Sequence, residues 1–262
     1  MAKLSQDRIT PESLFERLPR DTLVAMAEAA MTAVACIEEM AKAETNLVLE
    51  ALKGSEEFIE LEHYPPDDVY DPATHAQFYF HAHRDDADGV AECGHFHTFL
   101  RPKGMPAGVR PARVPDYTPP AGDNDDLSHI IAISMTPEGM PVQLFTTNRW
   151  VTGDVWYAAP DVIAMIDRFA IETAEPSRSL NRWITAMLAL FKPQIAQLLI
   201  ERDRGIEEWR RRHPDVNVFE DRGLEITSAM DICLFRQIEA LDRVLDGGEA
   251  RDDKPLQSHQ EP

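Results

Sequence analysis

Gln77-Phe78-Tyr79-Phe80-His81-Ala82-His83-Arg84 and Gly94-His95-Phe96-His97-Thr98-Phe99-Leu100-Arg101 decide the reading of this chain. Both segments place histidines at every second position, and successive side chains of a strand point to opposite faces. Phe78, Phe80 and Ala82 therefore share one face, as do Phe96, Thr98 and Leu100, and this is a core-facing side. His81 and His83 share the other face of the first strand, and His95 and His97 that of the second. Gln77, Tyr79, Phe99 and Arg101 accompany them. An antiparallel hairpin with His81 opposite His97 and His83 opposite His95 brings four imidazoles onto one patch. Opposed Cβ atoms lie about 5 Å apart and diagonal ones about 7–8 Å. Rings leaning inward from such positions can meet one metal ion, which sits about 2.0–2.1 Å from an imidazole nitrogen in the case of zinc. Register is the sensitive point, because a one-residue slip sends one pair to the other face.

Two readings follow from this patch. In the first, His81, His83, His95 and His97 are ligands of a transition-metal ion (zinc, iron or copper) in a cytoplasmic metalloprotein, and the protein acts on a small-molecule substrate. Three ligands and an open position suit catalysis, whereas four filled positions suit a structural or storage site. Zinc implies hydrolase or lyase chemistry through an activated water, and iron or copper implies oxidation. In the second, the histidines are the polar face of an ordinary sheet in a non-enzymatic assembly or binding protein. Tyr79, Asn148 and Arg149 are the candidate substrate-binding residues, since a fork donor and an amide beside an aromatic can hold a carboxylate or phosphate. His129 begins a further strand and reaches the site only if that strand neighbours the hairpin. Cys93 is a spare soft donor, and His63 and His75 are assigned to loop structure.

The surrounding pattern defines an α+β fold: a small antiparallel sheet of two hairpins, flanked by a long N-terminal helix and C-terminal helices. Thr10-Pro11-Glu12 starts a short helix ended by Pro19. Leu23, Met26, Ala30, Val34, Ile37, Met40, Leu47 and Ala51 then recur at helical spacing, which predicts one helix from Asp21 to Lys53, about 50 Å long. Glu44 is the charged intruder on its apolar stripe. Alanine along this helix lets a neighbour approach closely, so it is expected to pack in a bundle or in a homo-oligomer. His63-Tyr-Pro-Pro-Asp-Asp-Val-Tyr-Asp-Pro72 reads as a turn-rich connection. A second hairpin runs from His129 to Met135, turns at Pro137-Glu-Gly139 and returns from Val142 to Thr147. The stretch from Asn148 to Tyr157 reads as a turn and another short strand. Helices follow, started by Pro160, capped by Ser177 or Ser179, restarted at Pro193 and ended at His213-Pro214. Leu224 to Thr227 reads as a short strand, Ser228 to Asp231 as a helix cap, and Gly247-Gly248 as the end of the last helix. The expected organisation is a single domain, 1–248 (helical 11–53, sheet 75–157, helical 160–246), followed by a disordered tail, 249–262.

Composition narrows the function. A formal net charge of -20 repels phosphate backbones, so no nucleic-acid partner is expected. No apolar stretch is long enough to span a bilayer, so no membrane partner is expected. Three cysteines without paired spacing fit a reducing cytoplasm rather than a disulfide framework. Met1 to Pro19 lacks a basic start followed by an apolar run, the form of a secretory signal.

Cupins also carry His-x-His before a Pro-x-Gly turn, but here Val142 occupies the position of their later histidine, so nothing is carried over from them. The chain does resemble a bacterial family classed as a domain of unknown function. The resemblance rests on His63-Tyr-Pro-Pro-x-Asp-Val-Tyr-Asp-Pro72, Phe80-His-Ala-His-Arg84, Gly94-His-Phe-His-Thr-Phe-Leu-Arg101 and Leu144-Phe-Thr-Thr-Asn-Arg-Trp150. It covers most of residues 60 to 245 and implies no activity, cofactor or catalytic residue.

Overall fold

A computed structural model describes residues 11–55, 57, 59–82, 93–118 and 120–252, the side chains of 248–252 excepted. His83, the remaining histidine of the first pair, lies outside the described residues, as do Thr10 and residues 253–262.

The fold is α+β, built on one antiparallel sheet of six strands in sequence order. These are β1 (Tyr64–Tyr70), β2 (Ala76–His81), β3 (Gly94–Leu100), β4 (Ser128–Met135), β5 (Pro141–Thr147) and β6 (Ile226–Asp231). The two expected hairpins are β2–β3 and β4–β5. Two edge strands extend them: β1 comes from a segment assigned otherwise, and β6 begins within the short strand expected from Leu224 to Thr227 and runs on past it. The Pro/Asp segment forms β1, where an edge position leaves Pro65 and Pro66 with fewer ladder bonds to make. Ser228 to Asp231 continues β6 instead of capping a helix, and Thr146 Oγ1 bonds Ser228 Oγ at 2.6 Å. The strand expected after Asn148 is instead a short helix, α4 (Arg149–Thr152). Asn148 Oδ1 accepts the Arg149 N–H, and Gly153 closes the turn at φ 65°.

Helices cover the apolar face. In chain order they include α1 (Pro11–Phe15), α2 (Arg20–Lys42), α3 (Leu47–Ala51), α5 (Ala159–Ile166), α6 (Arg178–Leu190), α7 (Lys192–Arg212) and α8 (Leu234–Asp252). The single long helix expected from Asp21 to Lys53 is broken. After α2 the chain turns through Glu44 at φ 55°, and Asn46 accepts the N–H groups of Val48 and Leu49 to cap α3. The break falls at the one charged position of the apolar stripe, so Glu44 stays outside the core. Leu23, Met26, Ala30, Ala33, Cys36 and Met40 remain a buried stripe, packed on α6 and α8 of the same chain.

Ser177 caps α6, accepting the Leu180 N–H, and α6 meets α7 at a 70° bend beside Pro193. No single described helix is long and apolar enough to cross a membrane. α8 runs through Gly247-Gly248 to Asp252, past its expected stop. Phe78, Phe80, Phe96, Leu100, Ile131, Ile133 and Leu144 meet these helices in one continuous core, with Phe96 6.0 Å from the ring of Trp183 on α6. Cys36, Cys93 and Cys233 form no disulfide with one another.

Candidate metal centre

The histidines lie on the sheet face opposite that core. β2 and β3 pair Gln77 with Phe99, Tyr79 with His97 and His81 with His95. The expected register is therefore off by two residues, which preserves the face while changing the partners: His81 faces His95, not His97. The patch is buried rather than water-facing. His81 is 8% exposed, His95 6% and His97 0%. A solvated polar sheet face does not describe it.

The three side chains converge. One ligand nitrogen or equivalent donor from each of His81, His95 and His97 lies within 4.8 Å of the others. His81 Nε2 and His95 Nε2 are 2.7 Å apart, one donating to the other. The rings stand steeply to one another, with interplanar angles of 75°, 89° and 78° for the pairs His81–His95, His81–His97 and His95–His97. Edges rather than faces therefore meet, and edges carry the nitrogens. His97 Nδ1 bonds His129 Nε2 at 3.0 Å. Its other nitrogen, Nε2, is buried without a hydrogen-bond partner among the described residues. Such an orphan is costly and calls for an occupant such as an ion or a water. Two more orphans lie on this face, Ser134 Oγ and Thr147 Oγ1. Ser134 pairs directly with His95.

His129 joins the patch through a bulge. Thr98 pairs with Ile131 but the next residue, Phe99, pairs with His129, so Ile130 is an extra residue on β4. Without it, alternation from Ala132 would put Ile130 on the histidine face and His129 in the core. The bulge turns His129 back beside His97, a common use of bulges near functional sites. Thr98 holds the irregularity, its hydroxyl donating to Ile131 O at 2.8 Å. The sequence contains no turn residue that would have marked this bulge.

Aromatic rings close the patch. Tyr79 lies 5.1 Å from the ring of His97, and Phe145 5.0 Å from that of His95. His63, assigned to loop structure from sequence, stacks on Tyr79 at 3.6 Å and approaches His81 edge-on at 6.0 Å. Asp68, at φ 54°, orients it, accepting or pairing at His63 Nδ1 over 2.9 Å while its other oxygen takes Gln77 Nε2 at 2.6 Å. His75 keeps a loop role, bonded to Tyr70 Oη at 2.6 Å.

Electrostatics keep His97 and His129 uncharged. Burial, and secondarily any charge on His95, His129, His81 or His63, holds His97 far below the usual imidazole range. Burial and then the Arg202 charge hold His129 down to about 3. Burial, reinforced by Asp68 and Asp154, pushes the Tyr79 phenol up, so it stays protonated. Neutral imidazoles keep lone pairs available, as ligands must.

Asn148 and Arg149 are engaged elsewhere. Asn148 Nδ2 donates to Val218 O at 2.7 Å and to Leu224 O at 3.1 Å. Arg149 pairs with Glu220 and lies 4.3 Å over the ring of Tyr117. Of the three residues suggested for substrate, Tyr79 is the one whose ring packs against a candidate ligand.

Fold and site together define an α+β protein whose six-stranded sheet buries a three-histidine cluster able to hold a metal ion. Residues 27–232 match the family described as Domain of unknown function (DUF6969), and the chain belongs to it. No curated protein and no solved structure matches the chain.

Proposed function

We propose that this chain is a metalloprotein that binds one divalent transition-metal ion through His81, His95 and His97 and uses it on a small molecule. The fully buried Nε2 of His97, without a hydrogen-bond partner among the described residues and on a ring that converges with those of two other histidines, carries the reading. Tetrahedral zinc with ligand bonds of about 2.0–2.1 Å sets its nitrogens about 3.3 Å apart. The His81–His95 contact of 2.7 Å is a hydrogen bond whose proton the ion replaces, so loading needs an opening of only about 0.6 Å. Held by three neutral imidazoles, a bound ion would have room for a water and would make it acidic enough to serve as a nucleophile near neutral pH. Ser134, paired across the strands with His95 and with its Oγ lacking a hydrogen-bond partner among the described residues, is our candidate to bond a substrate oxygen. Zinc makes the activity hydrolytic or lyase-like, and iron or copper makes it oxidative.

The experiment is metal analysis and zinc titration of untagged protein, with His97→Ala and His83→Ala. We expect one equivalent in the native chain and none in His97→Ala. His83 decides the class. Retained binding with His83→Ala means three histidines and an open position. A lost equivalent means four ligands and a structural or storage site. A native chain that takes up no zinc, iron or copper overturns the proposal.

A further inference from the structure

We infer that His129 is a positioning residue that fixes the tautomer and orientation of His97, so that Nε2 is the atom offered to a metal. The inference takes its purpose from the proposed metal site, but its geometry stands without one. His97 Nδ1 and His129 Nε2 are 3.0 Å apart, and both residues are buried, His97 completely and His129 to 4% exposure. One of the two nitrogens must carry the proton. If His129 donated, His97 would hold its own proton on Nε2, which would be a buried N–H without an acceptor. Buried orphan donors are rarer than underused acceptors. If His97 donates from Nδ1, Nε2 is a bare lone pair on a ring that converges with those of His81 and His95, and His129 keeps its proton on Nδ1.

The backbone supports this arrangement. The extra residue Ile130 brings His129 to the histidine face, and the His129 N–H is anchored by Asp154 Oδ2 at 3.2 Å. Thr152 Oγ1 in turn donates to Asp154 Oδ1 at 2.7 Å. The rings of His97 and His129 sit 5.0 Å apart at 52°, so the contact joins two edges rather than two stacked faces. Metal-bound histidines characteristically donate their second ring N–H to an outer acceptor, and loss of that partner weakens binding about 10–100-fold. Here the acceptor is another imidazole rather than a carboxylate.

The test has two readouts. Nitrogen NMR of isotope-labelled, metal-free protein reads the tautomer of His97 directly, and zinc titration reads its consequence. Native protein should show His97 protonated on Nδ1, and His129→Leu should shift it to Nε2. Zinc affinity should fall about 10–100-fold in His129→Leu. His129→Gln, whose amide oxygen replaces the accepting nitrogen, should recover most of that loss. Comparable thermal midpoints of the metal-free variants separate this from misfolding. His97 found protonated on Nε2 in native protein overturns the inference, as does unchanged affinity in His129→Leu or equal loss in both variants. If the tautomer is as stated but native protein binds no metal, the proposed function fails while the hold of His129 on His97 stands.

Discussion

His81 stands directly across the β2–β3 pair from His95, their Nε2 atoms 2.7 Å apart. His97 stands across from Tyr79 instead of a histidine. The cluster is thus a triangle, with two of its corners on β3. This geometry gives each ring a different role. His81 and His95 share a proton that a metal must displace, and His97 is held from behind by His129.

The three corners should therefore be unequal under substitution. His81→Ala and His95→Ala each remove a ligand and also release the other ring from its hydrogen bond. His97→Ala removes the ligand that has an outer anchor. We expect His97→Ala to abolish stoichiometric zinc binding, His81→Ala and His95→Ala each to lower affinity by at least about 100-fold, and the two together to abolish it as well. Affinity should also fall as the solution is acidified and protons compete for the imidazoles. Calorimetric titration checks this, and undiminished uptake in the double variant would place the metal elsewhere.

The face of the sheet was legible because alternation survives a register error of two residues. Phe78, Phe80, Phe96 and Leu100 could only point to the core, and the histidines followed. The pairing was not legible, since the segment between His81 and Gly94 is too long for a two-residue turn and its length does not fix register. His129 was hidden by the bulge at Ile130, whose residue type carries no bulge signal. β1 was hidden by its prolines, which are compatible with an edge strand but rarely signal one. His63 reached the patch only through that unforeseen strand. The break between α2 and α3 had a trace in Glu44, a charge where the stripe required an apolar residue.

Acid should loosen the frame around the site through Asp71. This carboxylate is 1% exposed, yet it accepts the N–H groups of Ala73 and Thr74 on one oxygen and of Glu172 and Thr173 on the other. Burial opposes its ionisation, but the four backbone donors prevail and hold its pKa below the usual carboxylate range. A lowered native pKa stabilises the fold above the unfolded value of about 3.9, and that stability is lost as pH falls through the native value. Asp71→Asn should cost about 3 kcal/mol at neutral pH, because its amide nitrogen meets donors. It should also flatten the acid limb of the stability curve. Urea unfolding across the acid range measures both, and an unchanged limb would assign the acid sensitivity to other groups.

Ala30 tests whether α2 is covered within the chain. It is 4% exposed on the stripe that faces α6 and α8, whereas its neighbour Met31 is 65% exposed. Ala30→Glu buries an unpaired carboxylate and should destabilise by at least about 3 kcal/mol. Met31→Glu should change stability by less than about 0.5 kcal/mol. Sedimentation alongside denaturant unfolding separates folding from assembly. If Met31→Glu dissociated an oligomer without loss of stability, the outer face of α2 would be a subunit contact.

Gly94 should be indispensable to the cluster although it carries no ligand. It opens β3 immediately before His95, at φ 147°, a conformation that L side chains rarely adopt. A Cβ there would lie 2.5 Å from His81 O and 2.6 Å from Phe80 Cζ, so the backbone of one ligand and a core ring both stand in its way. Gly94→Ala must push β2 and β3 apart at the row where His81 meets His95. Strain of this kind costs about 1–3 kcal/mol even before the steric contact is counted. Zinc affinity should fall with it, because the shift opens the His81–His95 edge while leaving His97 and His129 in place. The tautomer of His97 should therefore be unchanged in Gly94→Ala, in contrast to His129→Leu. A variant that bound zinc as tightly as native protein would show that the strand pair can yield at this point without moving the ligands.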